Sequence, residues 1–279
     1  LFIKDKIMSF VLVLVIGSPV LAIVLYIMHW AGNLLWFYIW LFLLGFSLLA
    51  MTLYPTLIQP LFNTYSPVEG ELQEAIFGLA KKVGFPATKM FIVNESKRSS
   101  HSNAYFYGFF KNKRIVLYDT LVKNFEKEEI LAVLAHEMGH YKLNHTLKAF
   151  IISQFHVLFL FYSFGFFIYN TKMYSDFGFT TQPIFIGLIL FQGLLKPIDS
   201  LVSFLLNCNS RKHEYEADTF AVKFGYDTPD HLVKLYIKDS GSLIVDPLYS
   251  AYHNSHPTLL ERMANIKLQA SIAKKSKSD

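Results

Sequence analysis

The chain has a single cysteine, Cys208, among its 279 residues. An internal disulfide is therefore excluded, and Cys208 reads as an inert apolar residue near the end of a hydrophobic run. Charge is scarce as well. Asp, Glu, Lys and Arg make up 17% of the chain, where a soluble domain carries about a quarter. The shortage is concentrated in runs. Ile7 to Met28, Leu34 to Tyr54 and Ala149 to Tyr169 contain no charged residue. A fourth run, Phe177 to Cys208, is interrupted by Lys196 and Asp199. Each is long enough to cross a hydrocarbon layer, which takes about 20 helical residues. These absences exclude an ordinary soluble protein and predict an integral membrane protein with four spans.

Ile7 to Met28, with Lys4 and Lys6 before it, has the outline of a secretory signal peptide. It is too long for one, and the next run follows directly after His29 to Asn33. The chain begins at Leu1 rather than Met, so an upstream portion is expected. Charge sets the orientation. Twelve Lys and Arg lie between Pro55 and Lys148 and ten follow Asn207, whereas Asn170 to Pro183 holds only Lys172. Cytoplasmic loops are enriched in Lys and Arg, so the long middle segment and the C-terminus should face the cytoplasm. The net charge of +5 then reads as topology and contact with anionic lipid. No basic groove lined by stacking aromatics stands out, and no nucleic-acid partner is expected. The sequons at Asn94 and Asn144 fall on the cytoplasmic side and should be unmodified. The expected organisation is two spans in 1–54, a cytoplasm-facing segment in 55–148, two spans in 149–208 and a C-terminal segment in 209–279.

What is present is more specific. His136-Glu137-Met138-Gly139-His140 lies in a stretch free of proline from Thr88 to Gln182, with Gly139 the only glycine between Gly108 and Gly165. Glu126, Glu128 and Glu129 supply negative charge suited to a helix N-terminus. On such a helix the two histidines share a face and can reach one tetrahedral Zn²⁺, with Glu137 beside the open position as a base for water. A catalytic zinc needs a third protein ligand. His145 lies about 140° around a continuous helix from His140 and is a poor candidate, because no helix breaker intervenes. Glu214 and Asp218, four apart on one helical face, are better: Glu214 as ligand, Asp218 as hydrogen-bond partner of a ligating histidine. Glu216 faces the opposite way, to be solvated or paired with Arg or Lys.

These residues carry a resemblance. His136 to His140, Glu214 to Asp218, Lys97 to Tyr105, Asp119-Thr120-Leu121 and His256-Pro257-Thr258-Leu259-Leu260-Glu261-Arg262 resemble the type 1 CAAX prenyl proteases, and the middle stretch looks most like animal members. The resemblance implies one zinc per chain bound by His136, His140 and Glu214, with Glu137 as catalytic base and Asp218 supporting the site. It implies His256 as donor to the developing oxyanion, and Arg262 orienting it or binding a carboxylate. It also implies substrate pairing near Asn103 and Ala104. The implied fold class is mostly α: a multi-span membrane protein whose helices enclose a chamber, with a gluzincin-like HExxH site and a small β element. The family fold has seven spans and this chain carries four of them. His213 departs from the pattern, since the family usually has an aromatic residue before the glutamate ligand.

Locally, Ser66-Pro67-Val68-Glu69 reads as a helix start, followed by the amphipathic face Leu72, Ala75, Ile76, Leu79 and Val83. Met90 to Val93 and Arg114 to Tyr118 read as strands. Lys196 and Asp199 are spaced to pair on one face of the fourth span. The function expected is a zinc metalloendopeptidase that removes the last three residues from prenylated CAAX proteins, prelamin-type precursors among them. Its partners are farnesylated or geranylgeranylated C-termini and the lipid bilayer. A monomer in the endoplasmic reticulum membrane, and in the inner nuclear membrane, is expected. Two competing readings are a quality-control protease cutting unfolded membrane proteins and a membrane scaffold with a structural zinc.

Overall fold

A computed structural model describes residues 1–108, 113–238 and 245–275. The chain clusters into two compact units, Leu1–Phe62 with Ala149–Asp199, and Asn63–Lys148 with Ser200–Asp279.

The first unit is helical and multi-spanning. Helices α1 (Phe2–Trp30) and α2 (Leu35–Leu53) are joined by one 3₁₀ turn. A π-helical turn at Tyr54–Ile58 and the short α3 (Gln59–Phe62) complete this N-terminal part. Most of α7 (His145–Phe167), the short α8 (Thr171–Asp176) and the first part of α9 (Ile184–Lys223) belong to the same unit. Four segments are long and apolar enough to cross a membrane: Phe2–Trp30, Gly32–Phe62, His145–Phe167 and Ile184–Lys223. Large apolar side chains such as Phe10, Val13, Leu25, Phe155 and Phe166 point outward from them. In water that arrangement would be costly; in lipid it is the stable one, because a helix satisfies its own backbone groups. The protein is a multi-pass membrane protein.

Small residues let these helices approach. A Cβ on Gly165 would lie 3.1 Å from the Trp36 ring, and the Trp40 indole N–H donates to the Gln154 carbonyl at 3.2 Å. Tyr174 lies so close over Gly187 that a side chain there would meet its hydroxyl. Asp199 faces His156 Nε2 on α7 at 3.3 Å, so the side chain it meets is on the neighbouring helix.

The second unit carries a four-stranded sheet of order β1-β2-β4-β3, formed by Tyr65–Pro67, Ala87–Val93, Lys113–Tyr118 and Ala104–Tyr107 in that spatial order. β1 and β3 are the edges, each antiparallel to its neighbour, and β2 and β4 are parallel. Ser66 and Pro67 thus lie in an edge strand and do not start a helix. Pairing continues past the proline, with the Val68 N–H reaching the Met90 carbonyl at 3.2 Å. Proline, which has no N–H to donate, is tolerated on an edge. Helix α4 (Gly70–Val83) begins after extended Glu69 and ends at left-handed Gly84, φ 69°. Its buried face, Ile76, Leu79, Ala80 and Val83, packs into the core with Ile115 and Leu117 of β4.

After α5 (Asp119–Asn124), α6 (Lys127–Lys142) starts in a capping box. Glu126 accepts from the third helical N–H and Glu129 takes the Glu126 N–H at 2.7 Å. Every residue from Ile130 to His136 is buried. The helix stops at Leu143, and Asn144 takes a left-handed φ of 56° before α7 begins. The expectation that nothing breaks the helix before His145 is therefore corrected. Asparagine enters this region more readily than most residues. The rest of the unit comprises the second part of α9, α10 (Asp230–Lys238), α11 (Pro247–His253) and α12 (Leu259–Lys275).

Candidate metal centre

Three chain segments meet at His136. Because α6 is helical, His136 and His140 project from one face, and their Nε2 atoms are 3.1 Å apart. Glu214 of α9 closes the set, with Oε2 3.4 Å from His136 Nε2 and Oε1 3.3 Å from His140 Nε2. The approach of the two helices depends on Gly139, where a Cβ would lie 3.2 Å from the Ala217 Cα and 3.1 Å from the Phe220 Cβ.

These donors fit a metal. Ligands about 2.0–2.1 Å from a tetrahedral zinc stand roughly 3.3 Å from one another, close to the three separations found here. The donor set, two imidazoles and one carboxylate, is that of a catalytic zinc site. Burial and the Arg262 charge disfavour a cationic His136, but hydrogen bonds to Asp218 and Glu214 outweigh them and push its pKa up to about 9. The same surroundings that hold a proton there favour a cation in its place.

Asp218, 2% exposed, sits 2.9 Å from His136 Nδ1. A carboxylate can only accept, so Nδ1 keeps its proton toward Asp218, and Nε2, which faces Glu214, is the nitrogen that would give up its proton to offer a lone pair to an ion. Arg262 forks onto Asp218, with Nε 3.0 Å from Oδ2 and one terminal nitrogen 2.6 Å from Oδ1. Its other terminal nitrogen is 3.5 Å from Glu214 Oε2. Burial works against the guanidinium charge, yet these carboxylates raise its pKa further. The Arg262 guanidinium is thus held by Asp218 at the cleft wall.

Glu137 lines a cleft of about 140 Å³ with His136, Glu214, His256, Arg262, Ser102 and Asn103. His256 hangs over it with its Nε2 3.4 Å from Glu214 Oε1, and its side chain is 66% exposed. Its backbone is pinned, because Arg211 donates to the His256 carbonyl at 3.1 Å. Asn103 and Ala104 lie at the start of edge strand β3. The Asn103 carbonyl accepts from the Tyr118 N–H at 2.9 Å, so the Ala104 N–H faces away from β4. The Asn103 side chain takes that N–H at 2.8 Å.

Several site residues escape the sequence reading. Ser102 lines the cleft, and its Oγ is the one buried side-chain polar atom without a hydrogen-bond partner among the described residues. His231 stands on the same wall beside Val133, Leu232 and Leu235. Burial, then the Arg262 and His136 charges, lower its pKa to about 4, so the ring is neutral. A lone histidine at a helix start gives no signal in sequence. Arg211, one of the basic residues counted after Asn207, is buried, and one of its terminal nitrogens donates to both Glu261 oxygens at 2.8 and 2.9 Å. His145, set aside on helical geometry, lies 3.0 Å from His140 through their Nδ1 atoms. Glu216 pairs with His145 at 2.9 Å, with Lys212 farther off at 3.8 Å.

The family model described as Peptidase family M48 matches residues 67–270. A second, described as CAAX prenyl protease N-terminal, five membrane helices, matches residues 1–64. The chain is 52% identical over 278 residues to a CAAX prenyl protease 1 homolog of Dictyostelium discoideum, covering 98% of this chain and 65% of that protein. It is 45% identical to CAAX prenyl protease 1 of Saccharomyces cerevisiae, covering 94% and 62%. With a CAAX prenyl protease 1 homolog of Homo sapiens the identity is 41%, covering 95% and 65%. Among solved structures, the crystal structure of S. mikatae Ste24p matches with a TM-score of 0.86 at 43% identity, covering 95% of this chain and 66% of that one. The chain spans just under two thirds of the length of these relatives.

Proposed function

The chain belongs to peptidase family M48, and we propose that it is a zinc endopeptidase removing the last three residues from prenylated CAAX proteins. The observation that carries this reading is the convergence of His136, His140 and Glu214 within 3.1–3.4 Å beside Glu137 and an open cleft. His136, His140 and Glu214 would hold the ion, which when bound acts as a Lewis acid and makes water nucleophilic at neutral pH.

The chain's own groups do the rest. Glu137 accepts a proton from the attacking water and delivers it to the amide nitrogen as the C–N bond breaks. His256 reaches over the cleft on a backbone held by Arg211, and its ring N–H stabilises the carbonyl oxygen as negative charge builds there. The outward edge of β3 at Asn103 and Ala104 offers an extended substrate a strand to pair with, in exchange for the Asn103 side chain that now occupies the Ala104 N–H. A lipidated substrate suits a membrane enzyme, because one prenyl chain alone gives weak, reversible membrane binding. The relatives' names specify CAAX prenyl proteases, and the Lys and Arg enrichment of 55–148 and 209–279 supports a cytoplasm-facing orientation for those segments, in what we take to be the endoplasmic reticulum membrane. The inner nuclear membrane, continuous with it, is included, and the working form is a monomer.

The purified chain should carry one zinc and cut a farnesylated CAAX peptide. Glu137→Gln should keep the zinc while turnover falls by about 10²-fold or more. Zinc analysis paired with peptide cleavage decides it: near-normal turnover in Glu137→Gln sinks the assignment of the base. Equal cutting of the same peptide without its prenyl group would instead favour a protease of unfolded membrane proteins.

A further inference from the structure

His145, His213 and Glu216 place ligand atoms within 4.8 Å of one another, the spacing of a second metal site. Their ring geometry argues otherwise. His145 and His213 are stacked, 7° from parallel with centroids 4.0 Å apart. An imidazole lone pair lies in the plane of its ring, so an ion in one plane would stand well outside the other. His213 is a flat brace for His145, which is 3% exposed.

The hydrogen bonds of His145 run in another direction. Its Nε2 is 2.9 Å from Glu216 Oε2, and its Nδ1 is 3.0 Å from His140 Nδ1. A carboxylate only accepts, so Nε2 of a neutral His145 carries the proton and Nδ1 presents a lone pair. His140 must then carry its own proton on Nδ1, leaving its Nε2 lone pair aimed at the point that His136 Nε2 and Glu214 also face. A cationic His145 would reverse this. Its Nδ1–H would force the His140 proton onto Nε2, where an ion could not bind.

We propose that Glu216 and His145 form a positioning relay that fixes the tautomer and ring orientation of His140, as Asp218 does directly for His136. Two carboxylates two residues apart on α9 thus set the two histidines of α6, one by contact and one through an interposed imidazole. The relay exists because α6 ends at Leu143 and Asn144 turns the chain, which brings His145 back to His140. It rests on the reading that His140 ligates a metal; His145 and Glu216 do not touch the reacting atoms.

The test is the Zn²⁺ affinity of the purified full chain after metal removal, measured by competition with a chromogenic chelator. Losing a hydrogen-bond partner of a ligating histidine typically weakens binding by about 10–100-fold. That loss is expected for His145→Phe, which keeps the stack on His213, and for Glu216→Ala. Glu216→Gln retains an accepting oxygen and should recover most of the affinity. His213→Phe should bind Zn²⁺ as the parent does. The unfolding temperature of the metal-free protein should be nearly unchanged in all four, which separates positioning from folding. Glu216 is over a third exposed, so its two variants carry the test even if His145→Phe fails to fold. Parental affinity in His145→Phe and Glu216→Ala would overturn the relay. A second bound ion that disappears in His213→Phe would also overturn it, in favour of a metal site. A parent that binds no Zn²⁺ at all would overturn the metal reading itself, a different failure.

Discussion

Arg262 shows how one residue's role turns on what it touches. The family resemblance implies that this guanidinium orients His256 or binds a carboxylate. In the fold its side chain is 12% exposed, and it is paired with Asp218, itself 2% exposed at the side chain. Removing one partner of a buried ion pair leaves the other charge stranded, at a cost of about 3–5 kcal/mol. Arg262→Ala should therefore lower the unfolding midpoint sharply, and Arg262→Lys by less, because a point charge replaces one arm of the fork. The kinetic corollary runs against the sequence-based expectation. Free-acid and amidated peptides should lose cleavage equally in whatever Arg262→Lys protein stays folded. An amidated peptide spared by the substitution would return Arg262 to the substrate. His256 contrasts with it at the same scale, since its imidazole lines the cleft and is mostly exposed.

At the level of elements, the site is a contact between α6 and α9, and its tolerance is set at Gly139. A methyl there would press on backbone, the Ala217 Cα at 3.2 Å, and backbone cannot rotate away as a side chain tip can. Gly139→Ala should cost about 1–3 kcal/mol as an overpacked core does, and should weaken zinc binding because Glu214 lies one turn before Ala217 on the same helix. A Cβ at Gly78, inside α4, would meet nothing within 4 Å. Gly78→Ala should instead stabilise by about 0.4–1 kcal/mol. Thermal melts of the two variants side by side check the contrast, and equal effects would mean the helix contact is looser than it looks. The same element scale explains a misreading. A stretch with no proline, and no glycine between Gly139 and Gly165, reads as continuous, yet α6 stops because Asn144 adopts a left-handed turn. Nothing in composition distinguishes this asparagine from one on a helix surface.

For the whole molecule, four long apolar segments and a separate unit with a buried core make the topology testable. In a Cys208→Ser background, Ser271→Cys on α12 should react with a membrane-impermeant maleimide added to the cytoplasmic face of sealed vesicles. Ser175→Cys on α8, between the last two spans, should be protected until the membrane is opened. The reverse pattern would invert the orientation. What the sequence determined here is whatever depends on near neighbours along the chain. Charge-free runs specify membrane helices, because lipid selects for apolar length. A four-residue spacing puts His136 and His140 on one face, because a helix repeats every 3.6 residues. Gly84 ends α4, because glycine alone enters the left-handed region without strain. What the tertiary structure decided is which distant groups share an environment. Arg262 meets Asp218, His145 meets Glu216, Arg211 meets Glu261, and His231 is buried beside the cleft. Each pairing joins separate elements, and a charge or an imidazole in sequence carries no mark of its partner. The physical reason is that hydrogen bonds and ion pairs act over about 3 Å in space, and only packing brings residues scores of positions apart within that reach.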